Sequence, residues 1–309
     1  MRLGRLLGRR RRPPGARRLY APPADAAITL ARGLAVIAAR WPAVRSPSTA
    51  APIFVLAAGW RSGSTLLQRM IAASGDAVVW GEPYGHAALI DALAHPIRCV
   101  TPAWPHDDWF LAGRAPRALA EAWIANLFPS VEDLLRAHLA FFEALFAAPA
   151  RAAGAGRWGV KETRLTSDHA AYLRWLFPRA HLLMLYRDPY AAYRSYRRWG
   201  SWYLSWPDRP LDSPAVFGAH WRDLVEGYRA DHARLGARLL RYEDLVAGRP
   251  SVAELGAELG LAPAPAASLR RVGGHQETQA VPPLAPEDVA ALRAAVDPLA
   301  ADLGYAPPL

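Results

Sequence analysis

Short apolar runs alternate along this chain with longer stretches of helical periodicity. Ile53–Ala58 is bounded by Pro52 and Gly59 and is too short for a helix of its own, so it reads as a fully buried strand. Val78–Trp80, Trp158–Lys161, His181–Tyr186 and Arg238–Tyr242 read as further strands. Helical stretches lie between them: Leu66–Ala73, Ser167–Leu176, a helix opening at Pro189, Val216–Leu235 and a last one at Pro286–Leu303. Pro116–Ala148 is predicted helical throughout, with Leu134, Leu135, Leu139, Phe142 and Leu145 on one core-facing stripe. His86–Gly113 is predicted irregular, because Pro96, Pro102 and Pro105 interrupt it. Ala26–Ala39 is apolar but short and contains Arg32, so it predicts a packed helix or a loosely attached arm and no membrane span.

One stretch organises the rest. After the strand at Ile53–Ala58 comes Gly59-Trp60-Arg61-Ser62-Gly63-Ser64-Thr65, and a helix follows at once. Strand, glycine loop and helix in that order set backbone N–H groups and a helix N-terminus at the carboxyl end of a parallel strand, a ready-made anion site. Arg61, Ser62, Ser64 and Thr65 add side-chain donors, so the expected ligand carries phosphate. The expected architecture is α/β: a P-loop-type three-layer fold whose central parallel sheet is flanked by helices. The loop is nevertheless not a Walker A motif, which needs four residues between its glycines and a lysine before the Ser/Thr. Here three residues separate Gly59 from Gly63, and Ser64 stands in the lysine's place. Taken alone, it could be a plain Gly/Ser turn.

Two further stretches change the picture, RWGVKETR at Arg157–Arg164 and HLLMLYRDPYAAYRSYRR at His181–Arg198. In the second, Arg187 ends a strand and Asp188 is placed to cap a helix with Pro189 at its first position. Ser195 follows about two turns along, so an Arg and a hydroxyl can reach one group, as a second phosphate would need. A salt-bridged Arg and a helix-surface Ser is the bland alternative. In the first, Lys161 is the only lysine among 37 basic residues, and it ends a strand beside the phosphate loop. A compact ammonium there can neutralise charge developing on an oxygen without the bulk of a guanidinium. Glu82, just beyond the strand at Val78–Trp80, is placed to take a proton from a hydroxyl, although most loop glutamates are merely solvated.

Composition narrows the function classes. The 309 residues allow one large α/β domain with ample core, and 52% of them are hydrophobic. The formal charge of +10 suggests nucleic acid or membrane at first sight. Eight arginines and no acid lie in Met1–Arg18, however, which leaves a formal +2 for all the rest. The excess is a tail, expected to be solvated, with weak contact to a membrane surface as its one candidate partner and no nucleic acid expected. Residues 1–50 are therefore read as this tail plus a short helix, and 51–309 as a single domain. The single cysteine, Cys99, excludes an internal disulfide or a thiolate zinc site and fits a cytoplasmic setting. An arginine- and alanine-rich chain of this kind suggests a bacterial source.

Together the motifs resemble the sulfotransferases that use 3′-phosphoadenosine-5′-phosphosulfate (PAPS). In that family an [RK]SG[ST]T loop after the first strand holds the 5′-phosphosulfate, and an Arg at a strand end with a Ser eight residues on holds the 3′-phosphate. The matching residues here are Arg61, Ser62, Gly63, Ser64 and Thr65, with Leu66 opening the helix, and then Arg187 and Ser195. The loop, Gly81-Glu82 and the ending Asp302-Leu303-Gly304-Tyr305 look most like the tyrosylprotein branch and its bacterial relatives. The resemblance implies Glu82 as base, Lys161 as the transition-state cation and Tyr242 near the adenosine. It implies PAPS as co-substrate, no metal, and a hydroxyl-bearing acceptor: small molecule, sugar or peptide tyrosine. Leu269–Leu284 occupies the place of the family's late nucleotide-covering loop but lacks its serines and lysines, so no residue there is assigned.

Other stretches stay open between function and packing. Trp104, His106, Asp107, Asp108 and Trp109 could line an acceptor pocket or simply pack, with His106 as a weaker candidate base. Thr163 and Arg164 are candidate helpers. Trp199–Pro207 carries three Trp and a Tyr that could stack on an adenine, on an aromatic acceptor, or within a buried plug. Glu243 and Asp244 are expected to cap or brace the next helix. Two rival readings remain: a P-loop kinase or other nucleoside triphosphate enzyme, and a non-catalytic protein that uses its arginine tail on nucleic acid or lipid.

Overall fold

A computed structural model describes residues 29–111, 113–121, 124–198, 211–262 and 282–308. The run at Ile53 becomes β1 (Ile53–Ala57), buried at every position. It lies at the centre of a five-stranded sheet with β2 (Ala77–Gly81), β3 (Arg157–Glu162), β4 (His181–Tyr186) and β5 (Arg238–Arg241), in the order β2-β3-β1-β4-β5. Every pairing is parallel. Phe54 and Leu56 enter one core, while Ile53, Val55 and Ala57 enter a second core on the opposite face. A strand apolar on both faces is what a parallel sheet covered on both sides requires. The three-layer α/β architecture expected from the sequence is therefore the one found.

The helices among the described residues are α1 (Leu30–Arg40), α2 (Ser64–Ala72), α3 (Leu89–Arg98), α4 (Val131–Phe142), α5 (Ala148–Ala152), α6 (Ser167–Leu176), α7 (Pro189–Arg197), α8 (Pro214–Asp231), α9 (Tyr242–Val246), α10 (Val252–Glu258), α11 (Pro286–Val296) and α12 (Leu299–Asp302). α2 and α10 cover one face of the sheet through Leu67, Met70, Ile71 and Leu255. The opposite face carries the larger core, into which α3, α4, α6 and α8 send Ile90, Phe142, Leu173 and Trp221. α1 packs against α3 and α6. Its Leu30 and Ile37 are buried in that larger core.

Three sequence expectations need correction. The stretch read as irregular contains α3, ten residues long. Pro96 falls in its last turn, where little helix remains to break, and Ile90, Ala94 and Ile97 line its buried face. Pro116–Ala148 is not one helix. Pro116–Glu121 is a short 3-10 segment, and α4 starts only where Ser130 and Asp133 form a reciprocal capping box. The final stretch is likewise two helices, because Pro298 follows the end of α11. Met1–Arg18, Trp199–Pro207 and most of Leu269–Leu284 lie outside the described residues. Among the described residues no helix is long and apolar enough to cross a membrane.

α1 and α3 approach so closely that a Cβ built on Gly33 would lie 2.0 Å from the Ile97 carbonyl oxygen. Gly33→Val should force the two backbones apart and cost about 1–3 kcal/mol, as overpacking of a tight contact does. Urea unfolding checks this: the midpoint should fall with little change in slope.

Candidate active site

All five strands end at one edge of the sheet, and each delivers candidate chemistry there. β1 runs into the glycine loop, and Glu82 follows β2. Lys161 is the penultimate residue of β3, Arg187 follows β4, and Tyr242 follows β5. The register explains the neighbours. Gly81 pairs with Lys161, and Tyr186 pairs with Arg241, so the next residues along, Arg187 and Tyr242, emerge side by side. Ligands of open α/β sheets sit at this carboxyl edge, where strand order switches direction.

The loop is held from both sides. Ala58 N–H donates to the Leu185 carbonyl and Gly59 N–H to the Thr163 carbonyl. Ser62 is fully buried, and its hydroxyl donates to the Gly59 carbonyl at 2.8 Å, so this side chain braces the loop from within. Gly63 caps α2 with φ +90° and no capping side chain. The first-turn N–H groups of Ser64 and Thr65 consequently face the loop mouth with no partner in the helix. Ser64 is buried, Thr65 exposed and Leu66 partly buried. A Cβ on Gly63 would meet the Tyr242 ring at 2.0 Å, so the ring lies directly on the loop backbone.

On the β4 and β5 side, Arg187 stacks over Tyr242 with its guanidinium carbon 4.3 Å from the ring centroid. Its Nη1 donates to the Arg61 carbonyl at 3.0 Å, while Nε is buried with no hydrogen-bond partner among the described residues. Burial pushes the Arg187 pKa below the usual guanidinium value. Arg61 Nε in turn donates to Ser195 Oγ at 2.8 Å. The structure thus brings Arg61, Gly63, Arg187, Ser195 and Tyr242 into one connected group. α7 opens as expected, with Asp188 accepting from the N–H groups of Tyr190 and Ala191. Burial raises the Asp188 carboxyl pKa, and those two N–H bonds work against the rise.

On the β2 and β3 side, Lys161 donates from Nζ to Glu82 Oε1. Trp60, the loop residue before Arg61, donates from Nε1 to Glu82 Oε2 at 3.3 Å. Adjacent loop residues therefore reach opposite halves of the edge. Only 7% of the Lys161 side chain and 21% of Glu82 remain exposed. Glu82 has φ +40°, and the other non-glycine residues with left-handed φ among those described are Arg61, Tyr84 and Ala88. All four lie in the loop or in the connection from β2 to α3. Such conformers cost about 1–3 kcal/mol each and gather where function requires them.

The remaining candidates make packing contacts and ion pairs. Trp104 and Trp109 meet edge to face at 4.9 Å and pack with Phe128. His106 pairs with Asp108 on the surface, and the exposed Asp107 pairs with the largely buried Arg40 side chain. Arg164 grips Glu162 through Nε and Nη2 at 3.2 and 3.0 Å, and Thr163 is buried next to them. Glu243 does more than brace its own helix. Its Oε1 accepts the Asp188 N–H at 3.0 Å and its Oε2 the Tyr305 hydroxyl at 2.8 Å, which fixes the turn that carries Arg187. Burial and this carboxylate raise the Tyr305 pKa well above its usual value. Sequence reasoning assigned no role to Trp60 or to this Glu243–Tyr305 brace. The one available signal was that Tyr242-Glu243 and the closing Tyr305 both flank recognisable motifs. Among the described residues no group of three or more His, Cys, Asp or Glu could hold a metal ion.

Residues 52–261 match the family model described as "Sulfotransferase family". No curated protein matches the chain. Among solved structures, the chain is similar to the sulfotransferase domain from the Synechococcus PCC 7002 olefin synthase. The two are 21% identical, with 85% of this chain and 99% of that one covered and a TM-score of 0.46.

Gly63→Ala combines a left-handed backbone with a collision against the Tyr242 ring. The variant should fold with a lowered melting temperature, and adenosine 3′,5′-bisphosphate, which should stabilise the wild type against heat, should give it no such protection. Thermal unfolding with and without the nucleotide reads both effects.

Proposed function

The chain belongs to the sulfotransferase family, and from that membership we propose that it transfers the sulfuryl group of PAPS to a hydroxyl or phenol. The observation that carries PAPS use is Arg187, a partly buried guanidinium whose Nε is buried with no hydrogen-bond partner among the described residues, set one loop away from an uncapped helix N-terminus. A buried donor without an acceptor is costly, and a phosphate oxygen would supply the missing one. Arg187 and Ser195 suit the 3′-phosphate. The N–H groups of Ser64 and Thr65, with the Arg61 side chain, suit the 5′-phosphosulfate, and the Tyr242 ring offers a face for the nucleoside.

In this reading Glu82 takes the proton of the acceptor hydroxyl while the new oxygen–sulfur bond forms. The sulfur–oxygen bond to the 5′-phosphate breaks in line, and its electron pair stays on the departing oxygen. Lys161 balances that charge. Its ammonium has three donors and spends one on Glu82, so it can hold the base and face the leaving oxygen together. The products are a sulfate ester and adenosine 3′,5′-bisphosphate. Positioning and charge stabilisation carry the rate, with no covalent step on the protein. The kinase reading is less well supported. The loop has no Walker lysine, and the strand-end acids Glu82 and Glu162 are taken up by Lys161 and Arg164.

Radiolabelled sulfuryl transfer from PAPS to a mixed panel of alcohols and phenols tests the reading. Glu82→Gln should lower kcat about 10²–10⁴-fold as the base is lost. Lys161→Ala should lower it about 10²–10³-fold, the usual effect of removing a transition-state charge partner. Phosphoryl transfer from ATP–Mg²⁺, with none from PAPS, would overturn the proposal.

A further inference from the structure

Beside the glycine loop lies a cavity of about 310 Å³ that none of the assigned groups fills. Its walls come from the segments that carry the chemistry. Trp60 belongs to the loop, Glu162 and Arg164 follow Lys161, and Ala88 and Ile90 continue the connection that begins at Glu82. His220 of α8 closes the loop side, its ring stacked on Trp60 at 6.2 Å and lying against Gly59. The Trp60 indole is thus a shared partition: its ring lines the cavity, and its N–H holds Glu82.

The cations on the wall are already matched, and of its carboxylates only Asp168 of α6 makes no ion pair among the described residues. Arg164 is locked onto Glu162. At the far end Asp91 accepts from His169 Nε2 at 2.8 Å and pairs with Arg98. The Thr166 N–H donates to His169 Nδ1, which leaves Nε2 facing Asp91. The hydrogen bond from His169, followed by that from Arg98, outweighs burial and holds the Asp91 carboxyl well below the usual carboxylate range. An anionic ligand would have to enter without a counter-ion or break one of these pairs, and leaving a buried partner unpaired is expensive. Ile90, Leu165 and Leu211 supply apolar wall between the paired groups. The volume is at the small end of ligand sites, which run from about 300 to 1,000 Å³.

Resting on the sulfotransferase reading of the neighbouring groups, we propose that this cavity is the acceptor subsite and that it selects a compact alcohol or phenol of single-ring size that carries no negative charge. A tyrosine within a peptide or a hydroxyl within a polysaccharide would not be enclosed by it. Trp60 then acts as a positioning residue, presenting Glu82 to whatever rests on its ring.

The test starts without any sulfuryl donor. Saturation-transfer NMR with 4-methylphenol should show binding to the full chain, and that binding should be lost in Ala88→Leu, which fills the cavity from a partly exposed position. Leu165→Phe fills it from a second wall. Adenosine 3′,5′-bisphosphate binding retained in both variants shows that they are folded. With PAPS present, KM for 4-methylphenol should rise about tenfold or more in both variants, and the wild type should prefer 4-methylphenol to 4-hydroxybenzoate and to a capped tyrosine hexapeptide. Unchanged 4-methylphenol binding in both folded variants would overturn the proposal, as would preference for the peptide or the charged phenol. Failure of PAPS use alone would show as 4-methylphenol binding that is sensitive to Ala88→Leu with no sulfuryl transfer.

Discussion

Hydrogen-bonded ladders on both sides of β1 hold the glycine loop between Lys161 and Arg187, and the rest of the site depends on that placement. Ile53–Leu56 pairs with Gly159–Glu162 on one side, and Ile53–Ala57 pairs with His181–Leu185 on the other. Five parallel strands in register must finish together, and at each finish the backbone turns away and leaves a side chain facing the common edge. Register is fixed by burial on both faces, since a slip of one residue would turn Phe54 and Leu56 into the opposite core. The geometry of the polar site is therefore set by apolar packing beneath it.

The electrostatics divide at the loop. Trp60 and Arg61 are consecutive yet reach Glu82 on one side and Ser195 on the other. An Arg61 φ of +65° accompanies this divergence. Lys161 and Glu82 keep each other in a nearly closed environment, where a charge without a partner would be costly. Arg187 is held differently, by a carbonyl, an aromatic face and the Glu243–Tyr305 brace on the turn behind it, with Nε left over. One half of the edge holds a matched ion pair, and the other holds an under-satisfied cation. Proton abstraction with charge transfer suits the first, and recognition of an anion suits the second.

Much of this was legible in the sequence, and what escaped has physical reasons. β1 and β4 were readable because double burial leaves nearly uninterrupted apolar runs, and Asp188-Pro189 announced α7 through its cap. Arg187 and Ser195 could be tied to one place because a strand end and the following helix have fixed geometry. α3 was hidden because a proline in a final turn costs little, and α4 was overextended because the signal of Ser130 and Asp133 was outweighed by apolar spacing. Trp60 and Glu243 were missed as partners of the site because their roles come from contacts with residues 22 and 55 positions away, which no local pattern encodes. The cavity was invisible for the same reason: its walls come from six separate stretches of chain.

The account rests on the carboxyl edge being a site for a bisphosphorylated nucleotide that needs no metal. Calorimetric titration of adenosine 3′,5′-bisphosphate into the full chain, in the presence of a chelator, tests that claim most directly. Micromolar or tighter binding to the wild type is expected, with a loss of about 2 kcal/mol or more in Arg187→Ala, as removal of a charge-assisted partner gives. No binding to a folded wild type, or binding indifferent to Arg187, would contradict it.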